Sequence, residues 1–158
     1  MIDKIGIKTT MKELVAYKTL PLGADDVLEC AKFSGEVYKA GASPRDPTTI
    51  LFYDHKDDPG CRKEVLIPID AAVDGLETKQ MPEIRVAFIV FSGTHNPIEF
   101  YYERLYEYID EQGLKPGSEM CSFEAVYQPD EFNLSYGSFI DEDNPETWKT
   151  EIMVPVVE

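Results

Sequence analysis

The chain has 158 residues, of which 43% are hydrophobic, and it carries a formal net charge of −15 at pH 7. The apolar share is enough for a folded core and excludes a wholly disordered chain, while the negative field disfavours nucleic-acid binding and favours cations or basic partners. Three cysteines without a CxxC pair argue against a disulfide framework and a zinc site, so we expect a reducing cytoplasmic setting and no metal or cofactor.

The first predicted elements are strands around one helix. A short strand at residues 4–9 is expected at the edge of a sheet. A strand opening at Val15 leads to a helix, which Gly41 ends because glycine readily takes the left-handed conformation after a helix. Two strands follow, at about residues 49–54 and 63–69, on either side of a charged loop.

A second group of elements repeats this order after a polar linker at about residues 71–83. A continuous apolar strand opens at Val86, and such a run is typical of a strand buried on both faces. A helix with an apolar stripe follows and ends at Gly113. Two strands at about residues 122–128 and 150–157 complete the group, so each group reads strand–helix–strand–strand.

The two groups also share the residues at their ends. Val15-Ala16-Tyr17 opens the first, and Val86-Ala87-Phe88 opens the second. Glu64 precedes the apolar closing strand of the first group, and Glu151 holds the same place in the second. Because the shared features occur in the same order at both ends, we interpret them as an internal duplication.

We therefore predict one α+β domain over residues 1–158, a tandem duplication with half-repeats at about 15–69 and 86–157. Helices on one face of a mostly antiparallel sheet would bury the helical stripes, which leaves the other face for a ligand cleft where the copies meet. The acidic residues 133–147 account for the greater length of the second copy, and an ordered lid and plain disorder both stay open for them.

Three stretches of the second copy, at residues 86–93, 118–127 and 148–156, resemble in order the GyrI-like small-molecule-binding family. That family includes the effector-binding domains of multidrug-responsive transcription regulators. The resemblance runs from about Val15 to the end, but His95 stands where the family usually has an aromatic residue. It implies a free-standing version of the domain, since the chain has no residues left over for the DNA-binding region of the regulators.

Glu151 is the main candidate for the binding site. A carboxylate in a strand must face water, a partner or a ligand, because unpaired burial is costly. The glutamate at this position of the resembling family lies in the cleft and attracts cationic drugs, which implies the same role for Glu151; an ordinary exposed glutamate is the alternative. Its repeat counterpart Glu64 is either a second acidic group in the wall of the cleft or a residue that only reflects the duplication.

Aromatic side chains are predicted to line the rest of the cleft. Rings beside a carboxylate suit flat organic cations, and each cation–π contact contributes ~0.5–2 kcal/mol. Tyr127 and Trp148 are the preferred members, because their polar tips tolerate a partly wet site. Core packing is the alternative for each of the other candidate rings, which are Tyr17, Phe52, Tyr53, Phe88 and Tyr102.

Three functions stay open. The first is a cytoplasmic protein that binds aromatic or cationic, drug-like or toxin-like compounds for sensing, sequestration or detoxification. The resemblance also leaves open a hydrolase of strained alkylating natural products, with Glu151 as general base and Tyr127 as the acid. The third is an acidic protein-interaction inhibitor of the DNA gyrase type. No apolar run reaches the ~20 residues of a membrane-spanning helix, so no membrane partner is expected.

Overall fold

The computed structural model describes residues 1–45, 47–94, 97–127 and 149–158, and of residues 126 and 127 the backbone alone. The elements of the first half are β1 (Ile2–Thr9), β2 (Glu13–Leu20), α1 (Asp26–Lys39), β3 (Thr49–Phe52) and β4 (Lys63–Pro68). Those of the second half are β5 (Thr78–Met81), β6 (Arg85–Ser92), α2 (Ile98–Glu111), β7 (Lys115–Pro116), β8 (Ser122–Tyr127) and β9 (Lys149–Val157).

The strands of the described residues form one antiparallel sheet in the order β1-β6-β9-β8-β3-β4-β2-β5, with β7 added to β9. The predicted α+β class is therefore confirmed. One strand, β5, lies within the segment predicted as a linker, and it pairs with β2 over four residues. Four residues of mixed polarity do not stand out from a polar linker, so its strand character arises from pairing with β2.

The strand order reads the same from both ends of the sheet. The strands β3 and β8 lie at the centre, flanked by β4 and β9, then by β2 and β6. We call β1 and β5 the exchanged edge strands, because each precedes one half in sequence and pairs with the other half: β1 pairs with β6, and β5 pairs with β2. The register agrees as well: Lys8 lies opposite Val86, and Lys79 lies opposite Val15. The strand order and the pairing of the edge strands are therefore symmetric about the centre of the sheet.

Both helices pack on one face of the sheet, which we call the helix side. The apolar stripe of α2 buries Tyr101, Leu105 and Ile109 against residues of β6 and β9. The helix α1 begins where the Asp25 carboxylate accepts hydrogen bonds from the first backbone N–H groups, and it covers β2, β3 and β4. Opposite them, on the open face, a smaller cluster centres on Leu51, Leu66 and Phe123. No helix in the described ranges is both long enough and apolar enough to cross a membrane.

Candidate functional site

A carboxylate is buried at the centre of the sheet. Glu124 lies in the middle of β8 on the helix side, where it is 7% exposed. Its neighbours across the two adjoining strands are Ile50 of β3 and Ile152 of β9, both apolar core residues. A row of core positions thus contains one acidic side chain between two isoleucines.

The two halves of the sheet differ at the position of this carboxylate. Thr49 lies opposite Leu66 in the first copy, and Phe123 lies opposite Met153 in the second. Because Leu66 and Met153 each follow the glutamate of their closing strand by two residues, the repeat counterpart of Glu124 is Ile50. The same position is therefore apolar in one copy and acidic in the other. Burying a charge is costly unless partners offset it, so a function is the better explanation for the glutamate.

Two polar groups contact the Glu124 carboxylate, and a third contacts one of those two. The Tyr102 hydroxyl donates a hydrogen bond to Oε2, and the Ser122 hydroxyl lies 3.2 Å from the Tyr102 oxygen. Burial, together with the charge of Glu124, raises the pKa of Tyr102 well above its ordinary value, so the phenol stays protonated as a donor. The Lys56 ammonium lies 2.6 Å from the same carboxylate oxygen.

Aromatic rings complete the surroundings of the Lys56 ammonium. Its Nζ atom lies 5.2 Å from the centre of the Phe52 ring and 5.1 Å from that of the Tyr102 ring. These distances are within the range of cation–π attraction. The Lys56 ammonium is therefore a cation of the protein itself that one carboxylate and two aromatic rings hold in place.

Two cavities open beside Lys56, and both touch its side chain. One, of about 440 Å³, lies toward α1 and is lined by residues that include Val27, Phe52 and Glu124. The other, of about 270 Å³, lies toward α2 and is lined by residues that include Tyr102 and Tyr106. Together with the five residues Phe52, Lys56, Tyr102, Ser122 and Glu124, these cavities make up what we call the helix-side groove. Its size suits a small organic molecule.

The glutamate that the sequence singled out, Glu151, lies on the open face. It lines a cavity of about 380 Å³, which we call the open-face cavity. The wall of this cavity is largely aliphatic, with Leu66, Met81 and Met153 among its residues. Lys8 of the exchanged strand β1 forms an ion pair with Glu151 at 2.5 Å, much as Lys56 does with Glu124 at 2.6 Å.

Glu64 has a matching arrangement in the other copy. Its carboxylate pairs with Lys79 of the exchanged strand β5 at 2.5 Å and accepts a hydrogen bond of 2.8 Å from the Tyr53 hydroxyl. Lys79 lies 4.3 Å from the centre of the Tyr17 ring, just as Lys8 lies 4.6 Å from that of the Phe88 ring. Burial and the bond to Glu64 raise the pKa of Tyr53.

The structure divides the predicted site residues between the two faces. Phe52 and Tyr102 lie on the helix side beside Glu124. The others that the structure describes lie on the open face, namely Tyr17, Tyr53, Glu64, Phe88 and Glu151. Trp148, His95, the segment 133–147 and the side chain of Tyr127 lie outside the described residues. Within the described part of the chain, no group of three acidic, cysteine or histidine residues is placed to hold a metal ion.

Sequence reasoning missed Glu124, Ser122 and Lys56. One signal was available: Glu124 is a charge in the middle of a short strand of apolar and aromatic residues, and its repeat counterpart is an isoleucine. Lys56 gave no such signal, because it stands in a charged loop that is typical of solvent-exposed turns.

Comparison with known proteins identifies the fold. No protein-family model matches the sequence, and no curated protein matches it. Among solved structures, the C-terminal domain of EcmrR superposes with a TM-score of 0.77 at 16% identity, with 98% of each chain covered. The chain spans 57% of EcmrR in its complex with DNA, with a TM-score of 0.74 at 14% identity.

Two further solved structures have the same fold at greater distance. SAV2435, bound to tetraphenylphosphonium, matches with a TM-score of 0.53 at 14% identity, over 98% of this chain and 94% of that one. A hydrolase from Listeria innocua matches with a TM-score of 0.59 at 9% identity, over 98% of this chain and 92% of that one. At these identities the likeness concerns the fold alone: this chain shares the fold of the EcmrR C-terminal domain and of SAV2435, which is consistent with its resemblance to the GyrI-like family.

Proposed function

We propose that this protein binds an aromatic organic cation in the helix-side groove, with Glu124 as the counter-charge. The observation that carries the proposal is the buried carboxylate of Glu124 at a position where the other copy has Ile50. Glu124 itself lines the cavity of about 440 Å³, and its partners Tyr102 and Lys56 line the cavity of about 270 Å³, so the site offers the room that a small organic molecule needs.

The chemistry of the groove favours this class of ligand. A cation would meet the carboxylate of Glu124 and the faces of Phe52 and Tyr102, which are the contacts that Lys56 now makes. A net charge of −15 attracts cations from a distance. Tetraphenylphosphonium, the ligand of the neighbour SAV2435, is a molecule of this kind and therefore the natural first probe.

The open-face cavity at Glu151 is the second candidate for the same function. Its support is the sequence resemblance and a volume of about 380 Å³. Its wall is more aliphatic, and the contribution of Tyr127 and Trp148 stays a prediction. We therefore place the cation at Glu124 and use Glu151 as the matched comparison.

The test is calorimetric titration with tetraphenylphosphonium and with tetraphenylborate, an anion of the same shape. We expect the wild-type protein to bind the phosphonium and not the borate. Glu124→Gln removes the charge and keeps the shape, so it should weaken phosphonium binding by roughly 10- to 100-fold, the usual loss for a charge-assisted contact. Glu151→Gln makes the same chemical change on the other face and should bind as the wild type does.

Two results would contradict this assignment. If Glu151→Gln loses binding while Glu124→Gln keeps it, the ligand occupies the open-face cavity. If the phosphonium and the borate bind equally, or if neither binds, the groove does not recognise cations.

A further inference from the structure

Lys56 occupies the place of a ligand. Its ammonium contacts the Glu124 carboxylate at 2.6 Å and lies over two aromatic rings, at 5.2 Å from Phe52 and 5.1 Å from Tyr102. These are the contacts that an organic cation would need in the helix-side groove. An incoming cation and Lys56 therefore compete for the same carboxylate.

The Lys56 side chain lines both cavities of the groove. It comes from the loop between β3 and β4, whose base is clamped where the Arg62 guanidinium binds the Asp54 carboxylate at 3.0 and 3.1 Å. The side chain itself is 31% exposed, so rotation about its own bonds can carry the ammonium into water without unfolding the loop. Its departure would free space beside both cavities.

We propose that Lys56 is a specificity-determining residue: a resident cation that excludes small ammonium compounds and admits large aromatic cations. This inference rests on the proposed function. A primary ammonium ligand offers Glu124 nothing that Lys56 does not already offer, and a tethered group acts at an effective concentration on the order of millimolar. A large aromatic cation additionally fills the cavities on both sides, which Lys56 leaves empty, and this apolar contact compensates for the displacement.

The test compares Lys56→Met with the wild type, using tetraphenylphosphonium and benzylammonium as probes. Removal of the competitor should tighten phosphonium binding roughly tenfold, because the binding-competent fraction of the protein increases. Benzylammonium should bind Lys56→Met measurably and the wild type not at all. Lys18→Met is the matched control: it removes the same charge from an exposed ion pair with Glu36, and it should leave both affinities unchanged.

Lysine reactivity provides a second measurement on the unmutated protein, independent of whether a variant folds. In reductive methylation followed by mass spectrometry, Lys56 should react slowly in the free protein and several-fold faster once tetraphenylphosphonium is bound. Lys18 should react at one rate throughout.

The outcomes separate the inference from the function on which it rests. If Glu124→Gln abolishes phosphonium binding but Lys56→Met neither tightens it nor admits benzylammonium, Lys56 is not a competitor although the site is correct. An unchanged Lys56 methylation rate on ligand binding would overturn the inference equally. If the phosphonium binds no variant, the inference and the proposed function fail together.

Discussion

At the scale of single residues, we expect the Glu124–Lys56 ion pair to lower the stability of the fold. Removing two charges from water often costs more free energy than their mutual attraction contributes. Replacing such a pair by well-packed apolar residues is therefore frequently neutral or stabilising. The repeat provides the replacement, because Ile50 fills the same position in the other copy.

We therefore expect the double variant Glu124→Ile, Lys56→Met to be more stable than the wild type by about 1–2 kcal/mol and unable to bind tetraphenylphosphonium. Tyr102 would lose its acceptor but keep the Ser122 hydroxyl as a partner at 3.2 Å. Urea unfolding followed by circular dichroism measures the change. A loss of stability greater than about 1 kcal/mol would mean that the ion pair supports the fold.

At the scale of elements, the exchange of β1 and β5 places one lysine on each open-face glutamate. The two pairs are related by the repeat, yet they differ in their surroundings. Lys79 is 29% exposed and also lies 3.1 Å from the Tyr53 hydroxyl, whereas Lys8 is 40% exposed. Water screens the less exposed Lys79–Glu64 pair less, and this pair has an additional hydrogen bond, so it should contribute more to the stability of the fold.

We expect Lys79→Met to lower the free energy of unfolding by about 1–2 kcal/mol and Lys8→Met by about 0.5 kcal/mol or less. Both changes remove one positive charge from an edge strand, so each serves as the control for the other in the same urea experiment. Equal losses would show that the bonds of Tyr53 add nothing to the Lys79 pair.

The elements also show how far the sequence leads. The repeated strand–helix–strand–strand order follows from apolar runs and glycine positions, which are local signals. The pairing of β1 with β6 joins Lys8 to Val86, and no local pattern specifies contacts between residues so far apart in sequence. The alternation along residues 122–127 places the Glu124 side chain on the face of the sheet opposite to those of Phe123 and Ala125. It does not reveal which of the two faces the helices cover. Glu151 was predicted from its place in the closing strand and from the family resemblance, and it stays a prediction beside the proposal at Glu124.

At the scale of the whole molecule, the repulsion that arises from the net charge opposes the stabilisation by individual ion pairs. Most of the described pairs are partly exposed, and such pairs contribute little. An excess of fifteen negative charges repels itself throughout the folded state, where the charges are closer together than in the unfolded chain. Added salt weakens both effects, and the sign of the result shows which is larger.

We expect repulsion to dominate, so that the free energy of unfolding at pH 7 rises by about 1 kcal/mol between about 0.01 M and about 0.15 M sodium chloride, as the Debye length falls from about 30 Å to about 8 Å. Near about pH 4 the carboxylates take up protons and the excess charge shrinks, so the same salt should have little effect there. Urea unfolding at two pH values and two salt concentrations measures all four states. A loss of stability with salt at pH 7 would mean that the exposed lysine–carboxylate pairs stabilise the fold more than the repulsion destabilises it. The net charge of −15 would then attract cations while destabilising the fold only slightly.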